Sequence, residues 1–240
     1  MEKNNLVNFK TSDEASQFVA NQIISLVRSK PHCVLGLATG STPIKTYEYL
    51  IQDYQLNKTD YSQVKTFNLD EYCGLKPEDK DQSYLAFMRR KLFDQINLKH
   101  NNQNFPDPNH PDQYDDLIQK NGGIDLQILG IGSNGHIGFN EPPANFDSKT
   151  SIVHLVQSTI KDNSRFFKDI NDVPTTAVSM GISSILKAKQ IILLAFGEHK
   201  KNAIKRLMEL TKFDETLPAS SLNHHSNVTI VVDDGAYPFN

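Results

Sequence analysis

Apolar residues recur along the chain in two alternating rhythms. Thr11 and Glu14 have the spacing of a capping box, and Ala15, Phe18, Val19, Ile23, Leu26 and Val27 follow at helical intervals, which predicts a helix ending before Pro31. The run from Cys33 to Ala38 is short and unbroken instead, as expected of a strand covered on both faces. Pro43 suits the first turn of a second helix carrying Ile44, Tyr47, Leu50, Ile51 and Tyr54. Further strands are predicted at 64–69, 125–131, 151–156, 176–180, 191–196 and 228–232, with helices at 83–95, 112–120 and about 200–210. Strands alternating with helices predict an α/β fold, Rossmann-like, with a mostly parallel sheet and helices on both faces. In such folds ligands bind beyond the carboxyl ends of the strands.

Three polar clusters stand directly after apolar strands, where that rule places a site. Thr39-Gly40-Ser41-Thr42-Pro43 leads small hydroxyl residues and a glycine into a helix start, an arrangement suited to phosphate or to an ordinary cap. It is not a Walker A loop, because no Gly-Lys-Ser/Thr follows. Asn68-Leu69-Asp70-Glu71-Tyr72 ends a strand in two adjacent acids whose side chains point to opposite faces, so only one of them is expected to meet a ligand. The third cluster, Gly130 to Pro143, holds four glycines within nine residues together with Asn134, His136 and Glu141. Glycines let the backbone approach a ligand, and the amide, imidazole and carboxylate supply proton chemistry. Its glycine spacing does not fit a dinucleotide site, and one histidine with one acid is thin for a metal. Arg165 and Lys200 are cations that gain interest only from the neighbouring phosphate loop; His224-His225 reads as surface.

Composition narrows the field. The chain has 240 residues, enough for one domain with a small lid and a substantial core, and no linker, repeat or low-complexity tract divides it. Lys+Arg 25 against Asp+Glu 28 gives a net charge of −3, which offers no field for nucleic acid or an anionic membrane. No apolar run approaches the roughly 20 residues that cross a bilayer. The polar start lacks the pattern of a secretory signal. Cys33 and Cys73 show no metal or redox spacing, so they are expected to be reduced thiols of a cytoplasmic protein.

With these segments in hand, the chain resembles glucosamine-6-phosphate deaminases. The matches are Leu-Gly-Leu-Ala-Thr-Gly-Ser-Thr-Pro from Leu35, Phe-Asn-Leu-Asp-Glu-Tyr from Phe67, Gly-Ser-Asn-Gly-His-Ile-Gly-Phe-Asn-Glu-Pro from Gly132 and Asn-Ser-Arg-Phe-Phe from Asn163, in family order. The resemblance runs from about Leu6 to Val232. It implies one domain over 1–240 with a lid near 143–175, and conversion of glucosamine 6-phosphate and water to fructose 6-phosphate and ammonia. It implies His136 as the group that opens the sugar ring, oriented and charge-balanced by Glu141 and by the carbonyl of Asn134. Asp70 becomes the base that moves a proton from C2 to C1. Thr39, Gly40, Ser41, Thr42, Arg165 and Lys200 become the phosphate grip. No metal or organic cofactor is implied, since the substrate's own carbonyl holds the electrons.

Two departures from the longer members matter. Asn134 stands where they carry aspartate, and Ser151 and Val153 stand where they carry the arginine and lysine of an allosteric site; the chain also stops at Asn240 without their extension. A monomer without allosteric activation is the expectation. A 6-phosphogluconolactonase-like hydrolase and a sugar-phosphate sensor remain the competing readings. The lactonases follow the shared Gly-His pair with a different sequence, and a sensor could dispense with Asp70 and His136.

Overall fold

In the computed structural model, which describes residues 5–164 and 167–239, the alternating pattern resolves into two sheets. The elements in chain order are β1 (Asn5–Phe9), α1 (Ser12–Ser29), β2 (Val34–Leu37), α2 (Ile44–Asn57), β3 (Lys65–Asn68), β4 (Asp70–Tyr72), α3 (Tyr84–Lys91), β5 (Gln103–Asn104) and α4 (Asp112–Lys120). They continue as β6 (Leu126–Gly130), β7 (Ser151–His154), α5 (Gln157–Asn163), β8 (Thr176–Ser179), α6 (Ile182–Ile185), β9 (Ile191–Ala195), α7 (Lys201–Glu209) and β10 (Val228–Asp233). Short 3-10 turns fill several connections, including 93–95, where a longer third helix was expected, and 198–200, ahead of α7.

Seven strands pair in parallel in the order β1-β10-β9-β6-β2-β3-β5. β2 and β9 are buried along their whole length because both faces are covered. Leu35, Leu37, Leu126, Ile128, Ile192 and Leu194 face a layer built by α1, α2 and α3. Val34, Leu129, Ile191 and Leu193 face the opposite layer, with Tyr114 and Ile118 of α4, Ile185 of α6 and Ile204 and Leu207 of α7. α1 enters that packing as its sequence predicts: the Thr11 hydroxyl accepts from the Glu14 N–H and the Glu14 carboxylate from the Thr11 N–H, both at 3.2 Å. β1 lies in a stretch read as merely polar. Its partner β10 comes from the far end of the chain, so local pattern carries no trace of the pairing.

The chain passes from β2 outward through β3 to β5, then returns to place β6 on the other side of β2. That reversal beside β2 is the switch point at which open α/β sheets bind ligands, at the carboxyl ends of β2 and β6.

The segments 151–156 and 176–180, expected within the parallel sheet, form a second, antiparallel sheet β4-β8-β7. The physical reason lies in β7: Ser151, Ile152 and His154 are exposed, a doubly covered parallel sheet has no place for such a strand, and the buried β8 pairs between it and β4 instead. Leu69 joins the two sheets. Its N–H donates to the Leu37 carbonyl at 3.2 Å, and its carbonyl accepts from the Met180 N–H at 2.8 Å.

Candidate functional site

Asp70 opens β4 immediately beyond the carboxyl end of β3. It is only 7 % exposed, and among the described residues no hydrogen bond reaches its side chain. Burial, with the neighbouring Glu71 charge second, pushes its carboxyl up to about 8. Glu71 points to the other side of the strand, as the alternation requires, and does a different job. Its carboxylate accepts the backbone N–H groups of Tyr72 and Tyr84 at 2.9 Å and of Leu85 at 3.0 Å, which ties β4 to the start of α3. Burial raises the Glu71 carboxyl too, against the pull of those three donors. One acid is thus a structural staple and the other a buried, unstabilised carboxyl.

The glycine-rich loop after β6 closes on itself through a Gly132 N–H to His136 carbonyl bond at 2.9 Å and a Gly135 N–H to Gly132 carbonyl bond at 3.0 Å. Two glycines are needed here. A Cβ on Gly132 would stand 2.3 Å from the His136 ring, and Gly135 has φ +87° with Leu217 packed where its side chain would go. The ring of His136 is thereby laid along the loop. Its Nδ1 comes 3.2 Å from Glu141 Oε2, a close electrostatic contact off the hydrogen-bond axis. The same Glu141 oxygen accepts from Asn134 Nδ2 at 2.6 Å, while Oε1 accepts from the Thr159 hydroxyl at 2.7 Å. Burial alone would raise the Glu141 carboxyl, but His136 and the Asn134 and Thr159 donors outweigh it and hold it down to about 2.

This geometry corrects the expected part of Asn134. Its carbonyl is taken by the backbone N–H of His136 at 3.2 Å, not by the ring, and its amide is spent on Glu141. Asn134 therefore reaches the imidazole only through the carboxylate.

Gly138, with φ +56°, brings the loop against β4. The position its Cβ would take is 3.3 Å from Ser179 Oγ and 3.8 Å from Asp70 Oδ2, so a side chain here would press on the serine hydroxyl and lie against the Asp70 carboxyl. The Ser179 hydroxyl in turn accepts the Phe139 N–H at 3.1 Å.

The loop after β2 places Thr39 and Thr42 half-buried and Gly40 and Ser41 exposed at the amino end of α2. The Tyr47 hydroxyl donates to the Ala38 carbonyl at 2.6 Å and fixes where the loop begins; Gly40 has φ +90°. Lys200 closes the turn beyond β9 and is half-buried. Arg165 lies outside the described residues. The loops bearing Thr39 to Thr42, Asp70, the His136 cluster and Lys200 thus leave the same end of the neighbouring strands β3, β2, β6 and β9. By contrast, a cavity of about 430 Å³ lined by His32, Ser62, Lys65, Lys99, Asn102 and Asn121 sits by the amino ends of β2 and β3, far from these groups. Thr159 and Ser179 were not foreseen. Neither lies in a recognisable motif, and each meets the loop only through the second sheet and its connecting helix.

Comparison with known proteins follows the same lines. The family model described as glucosamine-6-phosphate isomerases/6-phosphogluconolactonase matches residues 8–231. The glucosamine-6-phosphate deaminase of Staphylococcus epidermidis is 48% identical over 240 residues, covering 97% of this chain and 98% of its own. That of Clostridium novyi is 50% identical over 231 residues, covering 94% and 93%. Among solved structures, a monomeric glucosamine-6-phosphate deaminase superposes with a TM-score of 0.92 at 39% identity, over 97% of this chain and 98% of that one. A 6-phosphogluconolactonase from Thermotoga maritima reaches 0.75 at 20% identity, over 96% and 99%, a likeness of fold alone.

Proposed function

Because the chain belongs to the family of glucosamine-6-phosphate isomerases and 6-phosphogluconolactonases, and is an enzyme that stands with its deaminases, we propose that it converts glucosamine 6-phosphate and water to fructose 6-phosphate and ammonia. The observation that carries the reading is the pair of carboxyls driven in opposite directions at the same end of the sheet: Asp70 raised to about 8, Glu141 lowered to about 2. Such separation is how a site assigns a proton-transfer base and a permanent anion. His136, with Glu141 as counter-charge, carries a proton between the anomeric hydroxyl and the ring oxygen as the sugar opens. The free aldehyde acidifies C2. Asp70, once ionised, removes the C2 proton and returns it to C1 while a proton of the substrate's ammonium passes to O1, so C1 becomes CH2OH and the amine-bearing carbon an imine; water adds to that carbon and ammonia leaves. Every proton is accounted for between substrate, Asp70, His136 and water.

The phosphate is assigned to the hydroxyls and N–H groups of Thr39 to Thr42 at the start of α2, with Arg165 and Lys200. Holding that end fixes C2 beside Asp70. The site draws on both sheets, which supports reading 1–240 as one domain with 143–175 as a lid. The monomeric relative supports a monomer here, and Ser151 and Val153 on β7 bring no cation to a second phosphate. No helix among the described residues is long and apolar enough to cross a membrane.

The test is release of ammonia from glucosamine 6-phosphate and from its 4-epimer, galactosamine 6-phosphate, with 6-phosphogluconolactone hydrolysis run beside them. Ammonia with hyperbolic kinetics, unaffected by N-acetylglucosamine 6-phosphate, is expected. Lactone hydrolysis without ammonia overturns the reaction, and binding of the sugar phosphates without turnover points to a sensor.

A further inference from the structure

We propose that Thr159 is a positioning residue for ring opening: from helix α5 its hydroxyl fixes the plane of the Glu141 carboxylate so that the other oxygen faces the His136 imidazole. This deepens the proposed reaction and rests on it. The terminal torsion of a glutamate is broad, so donors on one oxygen alone leave the carboxylate free to swing. Asn134 and His136 both meet Oε2, whereas Thr159 supplies the hydrogen bond to Oε1, from a different part of the chain. Two-sided holding defines the plane.

Thr159 is itself well placed to hold. It is β-branched, which restricts its first side-chain torsion. The next residue, Ile160, is buried with Tyr72, Phe139 and Leu155, so α5 is seated on the same small core as the loop that carries Glu141. The Ile160 N–H donates to the Val156 carbonyl at 3.0 Å, which keeps the first turn of the helix wound around Thr159. The resemblance names the loop triad and is silent on this threonine, which lies in a polar stretch with no motif of its own.

The test uses the full chain with Thr159→Val, Thr159→Ala and Thr159→Ser, each alone and in the Glu141→Gln background. Ammonia release is followed together with thermal unfolding and carbon NMR titration of the Glu141 carboxyl. Loss of one hydrogen bond to a charged group predicts a fall in kcat of about tenfold to a hundredfold for valine and alanine. KM should change little, because the phosphate grip is elsewhere. Serine should recover most of the loss, the Glu141 titration should move upward in valine and alanine but not in serine, and in the Glu141→Gln background the same changes should cost almost nothing more. Equal damage by serine, full additivity with Glu141→Gln, or an unmoved Glu141 titration in a folded variant would overturn the proposal. Should valine fail to fold, alanine carries the same expectations. Absence of ammonia from the wild type would overturn the reaction instead, and the titration alone would then decide whether Thr159 holds Glu141.

Discussion

Asp70→Asn should make the protein more stable while disabling it, and only at neutral and alkaline pH. In the folded chain the Asp70 carboxyl is pushed up to about 8 from an ordinary 3.8, chiefly by burial. Between those values the unfolded chain has released a proton that the folded chain still holds, so wild-type stability falls as pH rises across the window and levels off above it. At pH 7 about three pH units of that window have been crossed, which at 1.36 kcal/mol per unit sets a ceiling of roughly 4 kcal/mol. Asparagine escapes this penalty but buries an amide without a partner, at a cost of about 1–3 kcal/mol. A net gain of about 1–3 kcal/mol remains, and at about 2–4 °C per kcal/mol for a chain of this size it raises Tm by roughly 2–12 °C. Near pH 4 the gain should vanish, because the window has barely been entered: the folded carboxyl is protonated and the unfolded one is still close to half protonated. Activity moves the other way: turnover should drop by about 10²–10⁴, the worth of a placed base, and the wild-type rise of kcat/KM towards pH 8 should disappear. Calorimetry at pH 4, 6 and 8 beside a pH–rate profile decides the matter. A variant equally destabilised at all three pH values would show that burial does not raise the Asp70 carboxyl, and one that keeps its turnover would show that Asp70 is not the base.

Three further substitutions probe the rest of the site and its scaffold. Gly132→Ala drives a methyl to 2.3 Å from the His136 ring, which must swing aside; kcat should fall about a hundredfold with Tm little changed, and a wild-type rate would mean the ring has no required pose. Asn134→Asp replaces a donor at 2.6 Å from Glu141 with a like charge, so the Glu141 carboxyl should rise from about 2 and the acid limb of the pH–rate profile should move upward; profiles that overlay would reduce Asn134 to a turn residue. Asp125→Asn weakens a buried carboxylate that accepts from the Val34 N–H at 2.9 Å and from Lys30 and Lys189 at 2.7 Å, both lysines half-exposed, and should cost about 1–3 kcal/mol in urea unfolding at pH 7. Although burial alone would raise the Asp125 carboxyl, its donors lower it, so this loss should shrink as pH falls through the carboxylate range, and a pH-independent loss would refute the assignment.

What the chain discloses before folding follows how local the physics is. Strands β2, β3, β6, β9 and β10 of the central sheet and the helices α1, α2, α4 and α7 were legible because each buries a face or a short unbroken run that is written in neighbouring residues. β7 and β8 were visible as strands but not as members of a second sheet, since periodicity reports that a strand exists and says nothing of its partner. β1 was missed because an edge strand with only Leu6, Val7 and Phe9 apolar scarcely differs from a polar lead-in. The three polar clusters drew notice through their place after strands, and the structure brings them to one end of the sheet; their roles came from the resemblance. Thr159 was illegible because 18 residues of folded chain bring it to Glu141.

The same distinction governs the two acids at the head of β4. Alternation along a strand already says that Asp70 and Glu71 cannot share a face, yet it is blind to which face is which. What separates them is the supply of donors: α3 begins close enough to one carboxylate to give it the Tyr84 and Leu85 N–H groups, and nothing comparable reaches the other. A carboxyl furnished with backbone donors has its charge partly compensated against burial and serves the fold. One buried without them holds its proton until the pH of its surroundings is close to its own pKa, which is the condition a proton shuttle needs. The position of a helix start, marked by Ser83, whose hydroxyl accepts the Ala86 N–H at 3.0 Å, thus helps to decide which of two adjacent acids is left without backbone donors.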